Sequence, residues 1–417
     1  MVEREFHTMI EDKYDGWKRK TVIFLISQSM SLFGSSIVAY AIIWYITLTT
    51  TSGTMMAVSI LANFLPQILI SMFAGVWADR YDRKHIIMAA DALVAVATLL
   101  LAVLFLLGYK QLWVIFFISA VRSVGSGIQS PAVNAILPQF VPQEKLMRIN
   151  GIKSSIHSTI MLLSPAVGGA LMTMFSIEAT FFADVFSALI AVGIMTKLSV
   201  ESLHVSKEGP NSLQDYFTDM KTGIGYVRQN ELIFSLLIYY VFFFFFIAPA
   251  AYLTPLMVAR SFGGEVWRLT LNEIFFSGGA ILGGIFISVW GGMKDRIYTI
   301  ALACMGFGIC TVLLGLSTKF AIYLIIMGIT GVFMPIFNAA ETVLIQENVE
   351  SNMQGRVFSI IEVFSLFAPI AMLFFGPMGD KISVEKILLF AGGAMMLLAM
   401  IICTNHRRLK AQIAKNK

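Results

Sequence analysis

Gly127-Ile128-Gln129-Ser130-Pro131-Ala132-Val133-Asn134-Ala135 returns, at a shift of 204 positions, as Gly331-Val332-Phe333-Met334-Pro335-Ile336-Phe337-Asn338-Ala339. The same shift carries Gly151 to Gly355 and Pro165 to Pro369. A second block, Val76-Trp77 with Asp82-Arg83, recurs at a shift of 213 as Val289-Trp290 with Asp295-Arg296. Agreement in residue type and in spacing marks an internal repeat, which shared hydrophobicity alone would not produce. The chain therefore reads as two related halves.

The sequence around these blocks says what each half is. Of 417 residues, 57% are hydrophobic and only 13% charged, and the mean hydropathy is +0.79. A soluble domain averages about 45–50% apolar and about 25% charged residues. Ordinary soluble enzymes, coiled coils and disordered chains are excluded. No alternating strand pattern is present, and lipid offers no partner to unpaired backbone groups, so the apolar runs read as membrane-spanning helices. The first half gives spans 21–47, 54–78, 85–107, 112–137, 149–175 and 179–198. The second gives 232–259, 269–291, 297–316, 320–345, 355–375 and 384–403. The predicted fold is an all-α membrane protein of twelve helices. Six is an even number, so the two halves share one orientation, a parallel repeat about an axis along the membrane normal.

The expected domains are an N-terminal half over 1–198, a cytoplasmic linker over 199–231 and a C-terminal half over 232–417. The linker is polar, contains Gly209-Pro210, and could form a surface helix over 213–227 with Tyr216, Met220 and Ile224 on one face. The chain opens on polar residues without a cleavable signal, so the first apolar run is expected to be retained. Most of the 30 Lys and Arg fall on one side when both termini are placed in the cytoplasm, as the positive-inside rule requires. Their short clusters, such as Lys18-Arg19-Lys20, set orientation and meet lipid headgroups; nucleic-acid binding is not expected.

Gly75-Val76-Trp77-Ala78-Asp79-Arg80-Tyr81-Asp82-Arg83-Lys84 lies between the second and third spans. Gly75 suits a close helix approach. Asp79, at a helix end, can accept from the N-terminal amides of another helix, such as the one near Gly355 and Arg356. Arg80, Arg83 and Lys84 can pair with acids or lipid phosphates. This stretch resembles the loop motif of the major facilitator superfamily, with Trp77 and Asp82 departing from the pattern's Leu and second Gly. The second departure questions the usual glycine turn. Together with Trp17-Lys18-Arg19-Lys20 and Gly355-Arg356-Val357-Phe358-Ser359, it is similar to the macrolide-efflux branch of bacterial exporters, with enterobactin-type siderophore exporters nearby. The resemblance implies a cytoplasmic latch in the outward-open state, a bacterial inner-membrane location and a monomer. Ser164-Pro165-Ala166-Val167-Gly168-Gly169 resembles the antiporter motif of exporters. Ser164 stands where that motif has Gly, while Pro165, Gly168 and Gly169 match.

Ionisable residues inside spans are functional candidates because their burial must be offset. Arg122, in the fourth span, resembles the family's arginine linked to proton coupling, and otherwise reads as half of a structural ion pair. Glu341 and Glu362, at similar depth in spans ten and eleven, could titrate as a coupled pair. Glu273 lies near the outer end of the eighth span. Asp91 and Asp184 read as structural partners, Asp91 being close enough to Lys84 to join the cytoplasmic charges. Lys153 and His157 form an i, i+4 pair. The aromatic run Phe242 to Phe246 suits an apolar ligand only weakly.

No phosphate loop, catalytic triad order or metal-ligand spacing occurs, so no cofactor, no metal and no enzymatic activity are expected. The sequence thus predicts a secondary transporter exporting a hydrophobic or amphipathic small molecule, macrolide-like, against protons. A siderophore exporter, an importer and a non-transporting receptor on the same fold stay open as alternatives.

Overall fold

The computed structural model describes residues 16–200, 225, 228, 230–350 and 353–415. The surface helix expected over 213–227 falls almost wholly outside these residues. Among the described residues the chain forms fourteen helices and no strand. In order they are α1 (Trp17–Thr50), α2 (Gly53–Arg80), α3 (Arg83–Leu106), α4 (Leu112–Phe140), α5 (Gln143–Met174), α6 (Ile177–Thr196), α7 (Glu231–Tyr252), α8 (Thr254–Ser261), α9 (Val266–Trp290), α10 (Arg296–Leu316), α11 (Phe320–Asn348), α12 (Gln354–Ser365), α13 (Phe367–Lys381) and α14 (Val384–Lys415).

Twelve helical stretches are long and apolar enough to cross a bilayer, the number expected. Two of them are broken. The seventh span divides into α7 and α8 at Leu253, between Pro249 and Pro255. Proline removes an amide and crowds the preceding turn, so a helix bends there. The eleventh divides into α12 and α13 at Leu366, whose amide reaches back only three residues to Val363. Pro369 follows within one turn.

The helices group into two compact units, 1–45 with 61–211, and 46–60 with 212–417. This division differs from a cut at the linker alone. The ends of α1 and α2, with the turn between them, belong with the C-terminal helices. Asp380, at the end of α13, is the physical reason. Its carboxylate accepts from Gly53 N (2.7 Å), Thr54 N (3.0 Å), Thr54 Oγ1 (2.6 Å) and Ser52 Oγ (2.8 Å). Two of these donors are first-turn amides of α2, which a carboxylate satisfies well, and two are hydroxyls beside them.

In the N-terminal unit α3 packs on α4 and α6, and α5 on α6. Phe24, Ile87, Ile136, Phe140, Met195 and Leu198 form one buried cluster. In the C-terminal unit α10 packs on α11 and α14, α9 on α11, and α7 on α13 and α14. Its interior is aromatic: Phe243 stacks on Phe337 with centroids 4.0 Å apart, and Phe307 meets Phe243 edge-on.

The repeat is visible in the packing. Gly127 lies so close to α2 that a Cβ would fall 2.5 Å from the Gln67 carbonyl oxygen. Its counterpart Gly331 lies against α9, where a Cβ would strike the carbonyl of Phe276 and stand 3.0 Å from Ala280 N. Gln67 and Ala280 are themselves related by the shift of 213. Gly75 behaves otherwise. A Cβ there would meet nothing within 4 Å, so it does not mediate the close approach expected of it. Gly127→Ala and Gly331→Ala should each destabilise the protein by about 1–3 kcal/mol through overpacking against backbone, while Gly75→Ala should not. Thermal unfolding of the three purified variants checks this.

Candidate functional site

The charged turn is built on caps. Asp82 has φ −61° and ψ 114°, and its carboxylate caps α3 by accepting from Lys84 N (2.8 Å) and His85 N (3.3 Å). No positive φ is needed at this position, so Asp serves where the family pattern has Gly. Arg83 donates to the carbonyls of Ala78 (2.8 Å) and Ala135 (2.6 Å). Lys84 donates to the carbonyls of Thr196 (3.0 Å) and Leu198 (2.7 Å), closing the end of α6. These two cations thus hold backbone oxygens, a role the sequence did not suggest. The C-terminal unit repeats the device: Asp295 caps α10 through Ile297 N, and Arg296 donates to the Gly291 carbonyl (2.8 Å). His406 adds a contact to Asp295 at 2.6 Å. The side chain of Asp79 lies outside the described set. Arg80 is exposed, and Arg356 contacts Met353 Sδ at 3.4 Å.

Arg122 and Asp184 meet as a buried ion pair, Nη1 to Oδ2 at 2.5 Å. Arg122 also reaches Thr98 Oγ1 and, at 3.4 Å, the Ser35 carbonyl. Asp184 accepts further from Thr98 Oγ1 (2.9 Å) and Ser35 Oγ (3.2 Å). One network therefore joins α1, α3, α4 and α6. Its charges neutralise each other and its polar atoms are shared, which is what burial in a low dielectric demands.

Beside it lies a cavity of about 460 Å³, lined by α1 through α5 of the N-terminal unit. Asp91 lines it. Its Oδ1 accepts from Ser31 Oγ (2.5 Å) and Gln129 Nε2 (2.7 Å). Asp91 therefore does not join Lys84 among the cytoplasmic charges: it points between α1 and α4. Lys153 and His157 line the same cavity, and Lys153 Nζ donates to Asn134 Oδ1 at 2.7 Å. Sequence reasoning missed Ser31, Gln129 and Asn134. Gln129 and Asn134 stood inside the repeat block, where polar residues in an apolar helix were the available signal.

In the motif on α5, Ser164, Pro165, Gly168 and Gly169 are all buried. Gly168 faces Ile37 of α1, where a Cβ would sit in ordinary contact at 3.6 Å. In the C-terminal unit, Glu273 accepts from Asn272 Nδ2 (3.2 Å), and Tyr323 OH donates to Asn272 Oδ1 (3.1 Å). Glu341 Oε1 is buried with no hydrogen-bond partner among the described residues. The side chain of Glu362, and with it the expected carboxylate pair, lies outside the described set. Asp380 escaped sequence reasoning as well. Its signal was available: Gly376-Pro377-Met378-Gly379-Asp380-Lys381 repeats the spacing of Gly75-Val76-Trp77-Ala78-Asp79-Arg80.

Known proteins agree with this architecture. The chain is 30% identical over 395 residues to macrolide efflux protein A of Streptococcus pyogenes, covering 94% of this chain and 96% of that protein. It is 22% identical to a staphyloferrin A transporter of Staphylococcus aureus, covering 95% and 98%. Among solved structures it shares its fold with a POT family transporter (TM-score 0.70, 13% identity, 93% and 96% covered). A D-xylose–proton symporter is also similar (TM-score 0.64, 14% identity, 92% and 96% covered). The model of the Major Facilitator Superfamily matches residues 24–365. With twelve apolar spans, a repeated half and relatives that are transporters along nearly their whole length, this multi-pass membrane protein belongs to the Major Facilitator Superfamily.

Proposed function

We propose that this transporter exports a hydrophobic or amphipathic small molecule, macrolide-like, in exchange for protons. In this reading it is a monomer in a bacterial inner membrane with both termini in the cytoplasm. The halves 1–198 and 232–417, joined by 199–231, alternate access to a central site. The observation that carries the substrate class is the 30% identity to a macrolide efflux protein over 94% of the chain. Proton coupling draws support from Glu341, whose buried Oε1 lacks a partner among the described residues; Glu273 and Glu362 are the other candidate carriers. Arg122, paired with Asp184, serves the same cycle by fixing the helices around the site. The turn from Gly75 to Lys84, with Asp79 and Arg356, is the proposed inner latch.

The energetics suffice. One pH unit supplies about 1.4 kcal/mol per proton, and 100 mV about 2.3 kcal/mol per charge. Substrate enters from inside while an acid is ionised, the halves rock outward, and a proton from outside then displaces the substrate. In proteoliposomes with an imposed pH gradient, wild type should move a radiolabelled macrolide in a gradient-dependent way. Glu341→Gln should lose at least tenfold of that dependence while retaining exchange without a gradient. Equal transport with and without a gradient in wild type would replace antiport by uniport. A siderophore exporter is the second reading, favoured by the staphyloferrin A relative; transport of a polycarboxylate siderophore and of no macrolide would select it.

A further inference from the structure

The cavity of the N-terminal unit holds a group that the antiport cycle leaves unused. Asp91 is 2% exposed. Ser31 and Gln129 occupy its Oδ1, while its Oδ2 is buried and accepts no hydrogen bond. Among the described residues no cation pairs with it. A buried carboxylate oxygen without a donor is costly, so it calls for a partner that comes and goes. Gln28 Nε2, on α1 in the same wall, is likewise buried without an acceptor. The wall thus contains one unfilled acceptor on a negative group and one unfilled donor, both shielded in this structure, so a ligand meets them when the two side chains turn into the cavity.

Two of the other cations nearby have contacts of their own. Arg122 is held by Asp184. Lys153 is held by Asn134, which stands five residues, about 7.5 Å of helix rise, from Gln129 on α4. His157 lies one turn from Lys153 on α5. The arrangement is also particular to this half. By the two repeat shifts, Asp91 corresponds to Cys304, Gln129 to Phe333 and Lys153 to Val357. The fold therefore does not require these polar groups.

We propose that this cavity is a head-group site for a protonated amine bearing a neighbouring hydroxyl or ether oxygen. Asp91 Oδ2 accepts from the ammonium, and Gln28 Nε2 donates to the oxygen. Ser31 and Gln129 orient the carboxylate. A volume of about 460 Å³ suits the polar end of a drug-sized compound. The site rests on the export reading and names the chemistry it selects.

The test compares two ligands of nearly equal size in detergent-purified full-length protein. One is erythromycin, which carries a protonated tertiary amine on a sugar. The other is its N-demethyl, N-acetyl derivative, which is uncharged. Wild type should bind the amine at least tenfold tighter. Asp91→Asn should bring the two within about threefold, by weakening the amine at least threefold more than the neutral compound. Retained binding of the neutral compound also shows the variant is folded. Gln28→Ala should weaken both ligands by a similar factor, because it removes a donor and not a charge. If Asp91→Asn does not fold, the wild-type ratio and Gln28→Ala decide. Equal wild-type affinities for the two compounds would overturn the head-group site and leave the export reading standing. If neither compound binds, both readings fall together.

Discussion

Replacing Arg122 with Leu is expected to destabilise the protein by about 3–5 kcal/mol, the range found when one partner of a buried ion pair is removed. Asp184 would keep its charge, fully buried, with only the hydroxyls of Thr98 and Ser35 to hold it. Neither can supply a countercharge. Arg122→Leu combined with Asp184→Leu should recover most of the loss, because the pair is then removed together with its desolvation cost. Arg122→Lys should recover less: a single ammonium cannot reach Asp184, Thr98 and the Ser35 carbonyl at once, as the guanidinium does. Thermal unfolding of wild type and these three variants, purified in one detergent, measures the loss and its recovery. A single variant as stable as wild type would mean that the pair does not tie α1, α3, α4 and α6. Should the double variant regain stability and still couple protons, Arg122 has no part in proton transfer.

The second large effect is expected at Asp380. Asp380→Ala deletes an acceptor shared by two amides and two hydroxyls at the start of α2. Capping interactions are worth about 0.5–2 kcal/mol, and charge on the acceptor places this one at the upper end. The neighbouring turn adds to the effect. Thr51 holds a left-handed backbone, φ 46°, which costs a non-glycine residue about 1–2 kcal/mol. Arg260 steadies it by donating to the Thr51 carbonyl at 2.5 Å and to the Gly379 carbonyl at 2.6 Å, beside Asp380 at 3.4 Å. With the carboxylate gone, the amides of Gly53 and Thr54 should exchange with deuterium about tenfold to thirtyfold faster, equivalent to about 1.4–2 kcal/mol. The amide of Phe105, a buried residue in the last turn of α3, should not change. Unchanged exchange at Gly53 and Thr54 would show that water caps α2 equally well.

The twelve spans were legible because membrane helices announce themselves by length and composition, and the repeat because its blocks kept both residue type and spacing. The breaks at Leu253 and Leu366 were not read, although Pro249, Pro255 and Pro369 were in plain view. Proline in a membrane helix is often absorbed by a bend, so its presence does not say where a helix divides. For the site, the sequence identified most of the ionisable groups and little of their company. Arg122 and Asp184 were both singled out, yet 62 residues separate them and no spacing rule joins α4 to α6. Asp91 was assigned to the wrong neighbours because helical distance to Lys84 was the sole geometry available. Ser31 and Gln129, which determine where its carboxylate points, are uncharged and drew no notice. Asp380 was overlooked because it stands at a helix end, where an acid normally needs no explanation.

The twin arginine clasps, Arg83 on the Ala78 carbonyl and Arg296 on the Gly291 carbonyl, bear on how such a molecule diversifies. Each half carries the Asp-Arg pair at this turn, while Asp91, Gln129 and Lys153 in the first correspond in sequence to Cys304, Phe333 and Val357 in the second. The two halves thus agree at the turns that hold each bundle and differ along the wall proposed to meet a ligand. A repeat protein built this way can vary a few wall residues in one half while the turns that hold both halves stay as they are.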